Sequence, residues 1–352
     1  MSPRSIIKPG YMRAVDLKNG CIEMVHGSGG RAMAQLIHQL FLTAFDNEYL
    51  RKMNDQACFQ SFNGRMVMST DSHVITPLFF PGGDIGSLSV HGTINDIAMS
   101  GAKPSYLAAS FILEEGFPLS DLKRIVDSMA NAAHAAQVPI VTGDTKVVEK
   151  GSGDGVFITT TGIGMVPQGI NISSENARPG DKILVSGTLG DHGIAIMALR
   201  ENLSFHTSIT SDTTALHDLV AHMITAAPDI HVLRDPTRGG VATALNEIAL
   251  QSSVGMMLYE NKLPIREQVH AACEFLGLDP LYIANEGKLI AICTAEDSMN
   301  LLNAMRAHPL GENAAIIGEI IPDTHCFVQM QTRFGGKRVV DWLSGEQLPR
   351  IC

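Results

Sequence analysis

Apolar and polar positions along the chain alternate between helical spacing and short runs that read as strands. Residues 28–45 (SGGRAMAQLIHQLFLTAF) place apolar side chains at helical intervals behind a glycine-rich turn. Residues 65–70 (RMVMST) predict a strand that delivers Asp71 at its end, and 87–101 (SLSVHGTINDIAMSG) predict a helix. A β-leaning run predicts a strand over 105–113. Residues 119–136 (LSDLKRIVDSMANAAHAA) form an amphipathic helical pattern with a Ser/Asp cap, and strands follow at 139–142 and 156–165.

A Pro-Gly-Asp turn and a buried strand within 177–187 look like a fresh start, so a domain boundary is expected near 168–178. Beyond it the spacing predicts helices near 191–201, 213–226, 240–252, 265–276 and 295–307, and strands near 231–234, 254–259, 288–294 and 314–321. After about residue 336 the pattern dissolves into a polar stretch with one aromatic anchor, Trp342. The expected organisation is a loose leader over 1–24, an N-terminal domain over 25–168, a C-terminal domain over 177–336 and a mobile tail over 337–352. Elements of these lengths predict two layered α/β or α+β domains.

Composition narrows the partners. The chain has 352 residues, enough for two domains, and 45% hydrophobic against 18% charged residues supplies ample core. A net charge of −10 leaves no basic stripe to displace counterions, so no nucleic-acid partner is expected. A nucleotide is still admissible, because backbone amides and a metal hold phosphates on an acidic protein. No apolar run reaches the ~18 residues of a membrane span, and no apolar segment resembles a secretory signal. Six cysteines (21, 58, 273, 293, 326, 352) lack CxxC spacing, which favours reduced thiols in the cytoplasm. The thirteen histidines show no HExxH, so a zinc enzyme is not expected.

Four carboxylates stand beside glycines where strands end: Asp71 (STDSHVITPLFFPGG), Asp96 (GTINDIAMSGAKP), Asp144 (VTGDTKVV) and Asp235 (LRDPTRGG). Mg²⁺ takes such oxygen ligands and shares them with substrate phosphates. In DPTRGGV, Gly239 and Gly240 precede a predicted helix, whose N-terminus suits an anion, and Thr237 and Arg238 stand ready to donate. Neither a Walker A sequence nor a strand–GxGxxG–helix fingerprint is present, so a nucleotide would be held by another architecture. Lys146, two residues after Asp144, shares a face with it in an extended segment. Glu286 and Lys288 flank a glycine in IANEGKL; either a proton-transfer role or a surface ion fits each of these groups.

Together HGSGG, STDSHVITPLFFPGG, GTINDIAMSGAKP, VTGDTKVV, GTLGDHG, RDPTRGG, NEGKL, HPLG and PRIC resemble the HypE family of [NiFe]-hydrogenase maturation factors, from about Val25 to Cys352. RDPTRGG is shared with the wider superfamily of aminoimidazole-ribonucleotide synthetase (PurM)-like ATP enzymes; PRIC is particular to this family. The resemblance implies a two-domain PurM-like fold, a homodimer formed through the N-terminal domain sheet or barrel, and ATP with Mg²⁺ held between domains and dimer partner. It implies that the carbamoyltransferase HypF carbamoylates Cys352. ATP then drives dehydration to a thiocyanate, whose cyanide passes to iron on the HypC–HypD scaffold.

The resemblance also assigns residues. Asp71, Asp96, Asp144 and Asp235 become Mg²⁺ ligands and nucleotide contacts, joined on the nucleotide by Asn95, Thr145, Thr237, Arg238, Gly239 and Gly240. Glu286 is expected as the base and Lys146 as a charge stabiliser, with the two roles exchangeable. A selenophosphate synthetase of the same superfamily and a non-catalytic thiol carrier are the alternatives. Cys21 receives no role.

Overall fold

The protein is described from a computed structural model that covers residues 14–60, 63–201, 209–343 and 350–351. The spacing over 28–45 resolves into α1 (Arg31–Leu36), one π turn (Ile37–Phe41) and α2 (Leu42–Ala44). Then come β1 (Arg65–His73), the short pair β2 (Phe79–Phe80) and β3 (Gly83–Asp84), and α3 (Ile85–Ala98). The Asp84 carboxylate caps α3 by accepting from the Gly86 and Ser87 amides. β4 (Lys103–Glu114), α4 (Leu119–Ala135), β5 (Ile140–Val148) and β6 (Val156–Val166) complete this half.

The N-terminal sheet runs β1-β6-β4-β5, and β4–β5 is its one parallel pair because α4 carries the chain across between them. α3 packs on β1 and β6, and α4 packs on α3. On the opposite face Met66, Met68 and Ile112 are 51%, 70% and 42% exposed. Near Tyr106 that face is closed by Phe59, stacked 4.7 Å away, and by Tyr49 at 5.4 Å.

The second half contains β7 (Lys182–Val185), α5 (Asp191–Arg200), α6 (His217–Ala226), β8 (Ile230–Arg234), α7 (Gly240–Ser252) and β9 (Gly255–Tyr259). It continues with α8 (Glu267–Leu276), β10 (Ile290–Cys293), α9 (Ser298–Ala307), β11 (Ala315–Ile321), β12 (Val328–Gln331) and β13 (Lys337–Val339). The sheet order is β13-β12-β9-β11-β7-β10-β8. Ile183 and Val185 face the α7 side with Leu245 and Ile248, whereas Leu184 joins Leu219 of α6 and Leu301 of α9 on the other. Burial on both faces explains why KILV and IAIC read as unbroken apolar runs. Ile194 and Ile196 of α5 and Val269 of α8 belong to the N-terminal core, so the halves share apolar packing. Among the described residues no helix is long and apolar enough to cross a membrane.

Two expectations about the ends need correction. Within the expected leader, Ile22 is buried and pairs with the main chain at Gly116 and Phe117, so 14–24 is not loose where described. At the other end β13 forms the sheet edge and Val340 is buried, donating to Val328. An edge strand with its middle residue half-buried carries no apolar period, which hides it from pattern reading. Of the tail, residues 344–349 and Cys352 lie outside the described residues.

Candidate active site between the two halves

β1, α3 and the loop after β8 bring three of the four predicted aspartates together. Asp71 lies two residues before the end of β1, with its Oδ2 3.3 Å from His73 Nε2. Gly92 of α3 faces this pair: a Cβ there would stand 2.9 Å from His73 Nε2 and 3.3 Å from Asp71 Oδ2. One helical turn on, Asp96 accepts from Ser69 Oγ at 2.6 Å. Burial, then the Asp71 charge, raise its carboxyl above the usual range, against the Ser69 bond, Arg234 and Arg238. Asp235 follows β8, and burial together with Asp96 pushes its carboxyl up to about 7. His73, buried beneath Asp71, is held toward its neutral form by desolvation.

Glu286 closes the cluster. Its residue is 4% exposed, its Oε1 has no hydrogen-bond partner, and burial followed by Asp212, Asp235 and Asp71 raises its carboxyl well above the ordinary value. Its own amide donates to Asp212 Oδ1 at 3.0 Å, while Asp212 Oδ2 pairs with Lys288 Nζ at 3.1 Å. Asp212 is a site residue that sequence reasoning missed. It sits in SITSDTT, a polar stretch with no period and no glycine, and only the tertiary contact reveals it.

Asn95, expected on the nucleotide, makes its hydrogen bonds within the chain. Its Nδ2 donates to Thr214 and Glu286 carbonyls (3.0 and 3.2 Å), and its Oδ1 accepts from the Leu216 amide (2.8 Å). The side chain pins α3 to the two loops that carry Asp212 and Glu286, and both its amide hydrogens are used there.

Gly239 and Gly240 open α7 with φ of 76° and 59°. The need for glycine is steric at 240, where a Cβ would lie 2.5 Å from the Leu281 carbonyl. This tight approach seats the α7 N-terminus against residues 281–283. Arg238 is exposed beside the α7 start; its charge opposes that of Glu286 and, after Arg234, that of Asp96. Thr237 accepts the Gly240 amide through its carbonyl.

Asp144, Thr145 and Lys146 are not brought to this cluster within the chain. β5 runs to Val148, so these residues stand mid-strand rather than in the loop that a strand over 139–142 would leave. Asp144 and Lys146 project from the more open sheet face and pair at 2.7 Å, while Thr145 is buried on the other face. β5 is three strands from β1, about 14 Å across at the usual strand spacing. No trio of His, Cys, Asp or Glu among the described residues is placed to cage a metal by itself. A four-aspartate cage is therefore not what one chain builds.

The described end of the tail lies against α5. Ile351 is buried at 3%, bridges to Ile75, and its carbonyl is 2.7 Å from His192 Nε2. The Arg350 carbonyl accepts from the Thr76 amide at 3.3 Å and from Arg200, and its guanidinium pairs with Asp154 at 2.6 Å. His192 Nδ1 meets Ser211 Oγ at 2.7 Å, and the next residue is Asp212. The tail thus reaches the loop that holds Glu286.

Two α/β halves that bring carboxylates together beside a glycine-led helix start define a protein of the AIR synthase-related class. The N-terminal domain of AIR synthase related proteins matches residues 53–166, and their C-terminal domain matches 178–331. Carbamoyl dehydratase HypE from Cupriavidus necator is 69% identical over 347 residues, covering 98% of this chain and 99% of the relative. A crystal structure of the hydrogenase maturation protein HypE in complex with ATP matches with a TM-score of 0.90 at 50% identity, covering 94% of this chain and 99% of that one. A HypE–HypF complex matches with a TM-score of 0.78 at 52% identity, covering 88% and 99%. The chain belongs to the HypE family.

Proposed function

We propose that this chain uses ATP to dehydrate an S-carbamoyl group on Cys352 to a thiocyanate, a source of cyanide for the iron of [NiFe]-hydrogenases. The observation that carries this reading is the docked Ile351: it holds the residue before Cys352 against the His192–Ser211–Asp212 path that ends at Glu286. The identity to carbamoyl dehydratases over nearly the whole chain supports it. No observation favours the selenophosphate or carrier alternatives.

The residues present fit a divalent cation shared with phosphate. Asp96 and Asp235 carry raised carboxyl pKa values through burial and crowding, and a dication beside them would offset that cost. One or two of Asp71, Asp96 and Asp235 would hold Mg²⁺, which commonly takes only one or two protein carboxylates and completes its shell with phosphate and water. The Gly239–Gly240 start of α7, with Thr237 and Arg238, would receive phosphate oxygens. ATP supplies the phosphoryl group that converts the carbamoyl oxygen into a leaving group. Overall, R–S–C(O)NH2 and ATP give R–S–CN, ADP and phosphate.

The chain's own part is positioning and proton removal. Glu286 presents an unpartnered, desolvated oxygen, and burial with the nearby carboxylates raises its affinity for a proton. It takes the nitrogen proton as the C–O bond breaks. Arg238 offsets developing negative charge beside the α7 start. Lys146 and Asp144 are supplied by a second copy, which explains why one chain holds them on the more open sheet face. Met66, Met68 and Ile112 on that face support a homodimer. A relative crystallised with HypF supports HypF as carbamoyl donor, and the HypC–HypD complex is the proposed cyanide acceptor.

Nucleotide turnover tests the proposal. Protein carbamoylated on Cys352 should release one phosphate per chain from Mg-ATP, and the uncarbamoylated protein or C352A should release none. Equal turnover with and without the carbamoyl group would overturn it.

A further inference from the structure

His192 occupies the first turn of α5 and is fully buried, which is unusual for a side chain with two polar ring atoms. Both ring nitrogens are engaged, at 2.7 Å each: Nδ1 with Ser211 Oγ, and Nε2 with the Ile351 carbonyl. The Phe80 ring closes one side at 5.6 Å, nearly perpendicular at 89°. A carbonyl oxygen only accepts, so Nε2 carries the hydrogen. In the neutral ring Nδ1 is then an acceptor, and the Ser211 hydroxyl donates to it. Ser211 is itself fixed: its amide donates to the Pro81 carbonyl at 2.8 Å, and its Oγ accepts from the Thr213 amide at 3.1 Å. The Ile351 carbonyl therefore selects the Nε2–H tautomer, and a hydroxyl whose own position is set by the main chain satisfies Nδ1 and holds the ring.

We propose that His192 is a positioning residue for the dehydration: its ring, held at Nδ1 by Ser211, donates Nε2–H to the Ile351 carbonyl and so anchors the chain at the residue before Cys352. The inference rests on the reading of Cys352 as the carbamoyl carrier. The Ile351 carbonyl is the last described main-chain acceptor before Cys352, and His192 is its donor. The remaining contacts act further back. Thr76 and Arg200 take the Arg350 carbonyl, Asp154 takes its guanidinium, and apolar packing takes the Ile351 side chain. They hold the segment in place; the His192 bond orients the last carbonyl before the thiol. Ser211 also adjoins Asp212, which anchors Glu286, so docking and the base share one loop.

The test reads docking without any chemistry at the site. Full-length protein, without nucleotide or carbamoyl donor, is treated with iodoacetamide, and alkylation of Cys352 is followed on the peptide released by cleavage after Glu346. His192→Phe keeps a ring against Phe80 but has no donor, whereas His192→Gln retains an amide N–H. In H192F the Cys352 alkylation rate should rise about tenfold, equivalent to about 1.4 kcal/mol of docking free energy. H192Q should return it to within about twofold of wild type, a rescue that a purely space-filling role would not give. A wild-type rate in H192F, or an H192Q rate equal to that of H192F, overturns the proposal. If H192F does not fold, S211A decides. Loss of the hydroxyl that holds the ring through Nδ1 should raise the rate about threefold, and an unchanged rate overturns the proposal. Because no ATP is present, failure of the dehydratase reading would leave this readout intact.

Discussion

Replacing Asp235 with asparagine should make the protein more stable at alkaline pH, at the expense of its chemistry. Burial, reinforced by Asp96, lifts the Asp235 carboxyl from 3.8 to about 7. Between those values the folded protein keeps a proton that the unfolded chain has released. Bound protons then favour the folded state, so stability is fullest below about pH 4 and falls as pH rises through 7. A shift of about three units caps the total cost at about 4 kcal/mol. Of this, about 1.7 kcal/mol has accrued by about pH 5, and about 2.5 kcal/mol more accrues by about pH 8. Asparagine keeps the volume and never ionises, so D235N escapes the second part. Urea unfolding without divalent cations, at about pH 5 and about pH 8, measures the difference. The advantage of D235N over wild type should grow by about 2.5 kcal/mol between the two conditions. Mg²⁺ with nucleotide should shrink that growth, because the cation takes over the charge. A stability difference that is the same at both pH values would refute the placement of Asp235 among crowded carboxylates.

Three further perturbations address the frame around the site. Asn95→Leu leaves the Thr214 and Glu286 carbonyls and the Leu216 amide without their partner; it should cost about 3–5 kcal/mol, read as a lowered urea midpoint. Gly240→Ala puts a Cβ 2.5 Å from the Leu281 carbonyl at φ 59°, so it should lose about 2 kcal/mol or more and weaken nucleotide binding by calorimetry. Met68→Glu charges the more open sheet face where the side chain is 70% exposed, and should convert a dimer to monomers in sedimentation velocity while leaving monomer stability within about 0.5 kcal/mol.

Much of the fold is legible in the sequence because a one-sided core imposes its period. The helices at 119–135 and 240–252 and the buried strands KILV and IAIC follow directly from apolar spacing. β12 and β13 escape because they are short: β12 alternates over only four residues (VQMQ), and β13 spans three at the sheet edge, on either side of a Gly-Gly turn at 335–336. In the site, the glycine-led start of α7 is visible locally, since DPTRGG announces both its turn and its helix. The gathering of Asp71, Asp96, Asp235 and Glu286 is not; it depends on how α3 meets two distant loops, and family resemblance carried it. Asp144 shows the limit of local reading: a carboxylate beside glycine says nothing about which sheet face it takes. Asp212, Ser211 and the docking role of His192 exist only through tertiary contacts.

The central claim is that Glu286 removes the proton when the carbamoyl group on Cys352 loses water. Intact mass spectrometry of Cys352-carbamoylated protein, before and after Mg-ATP, tests it most directly. The wild-type protein should become lighter by one water, while E286Q should bind nucleotide and keep its mass. An unchanged wild-type mass, or the same water loss in E286Q, would contradict the account.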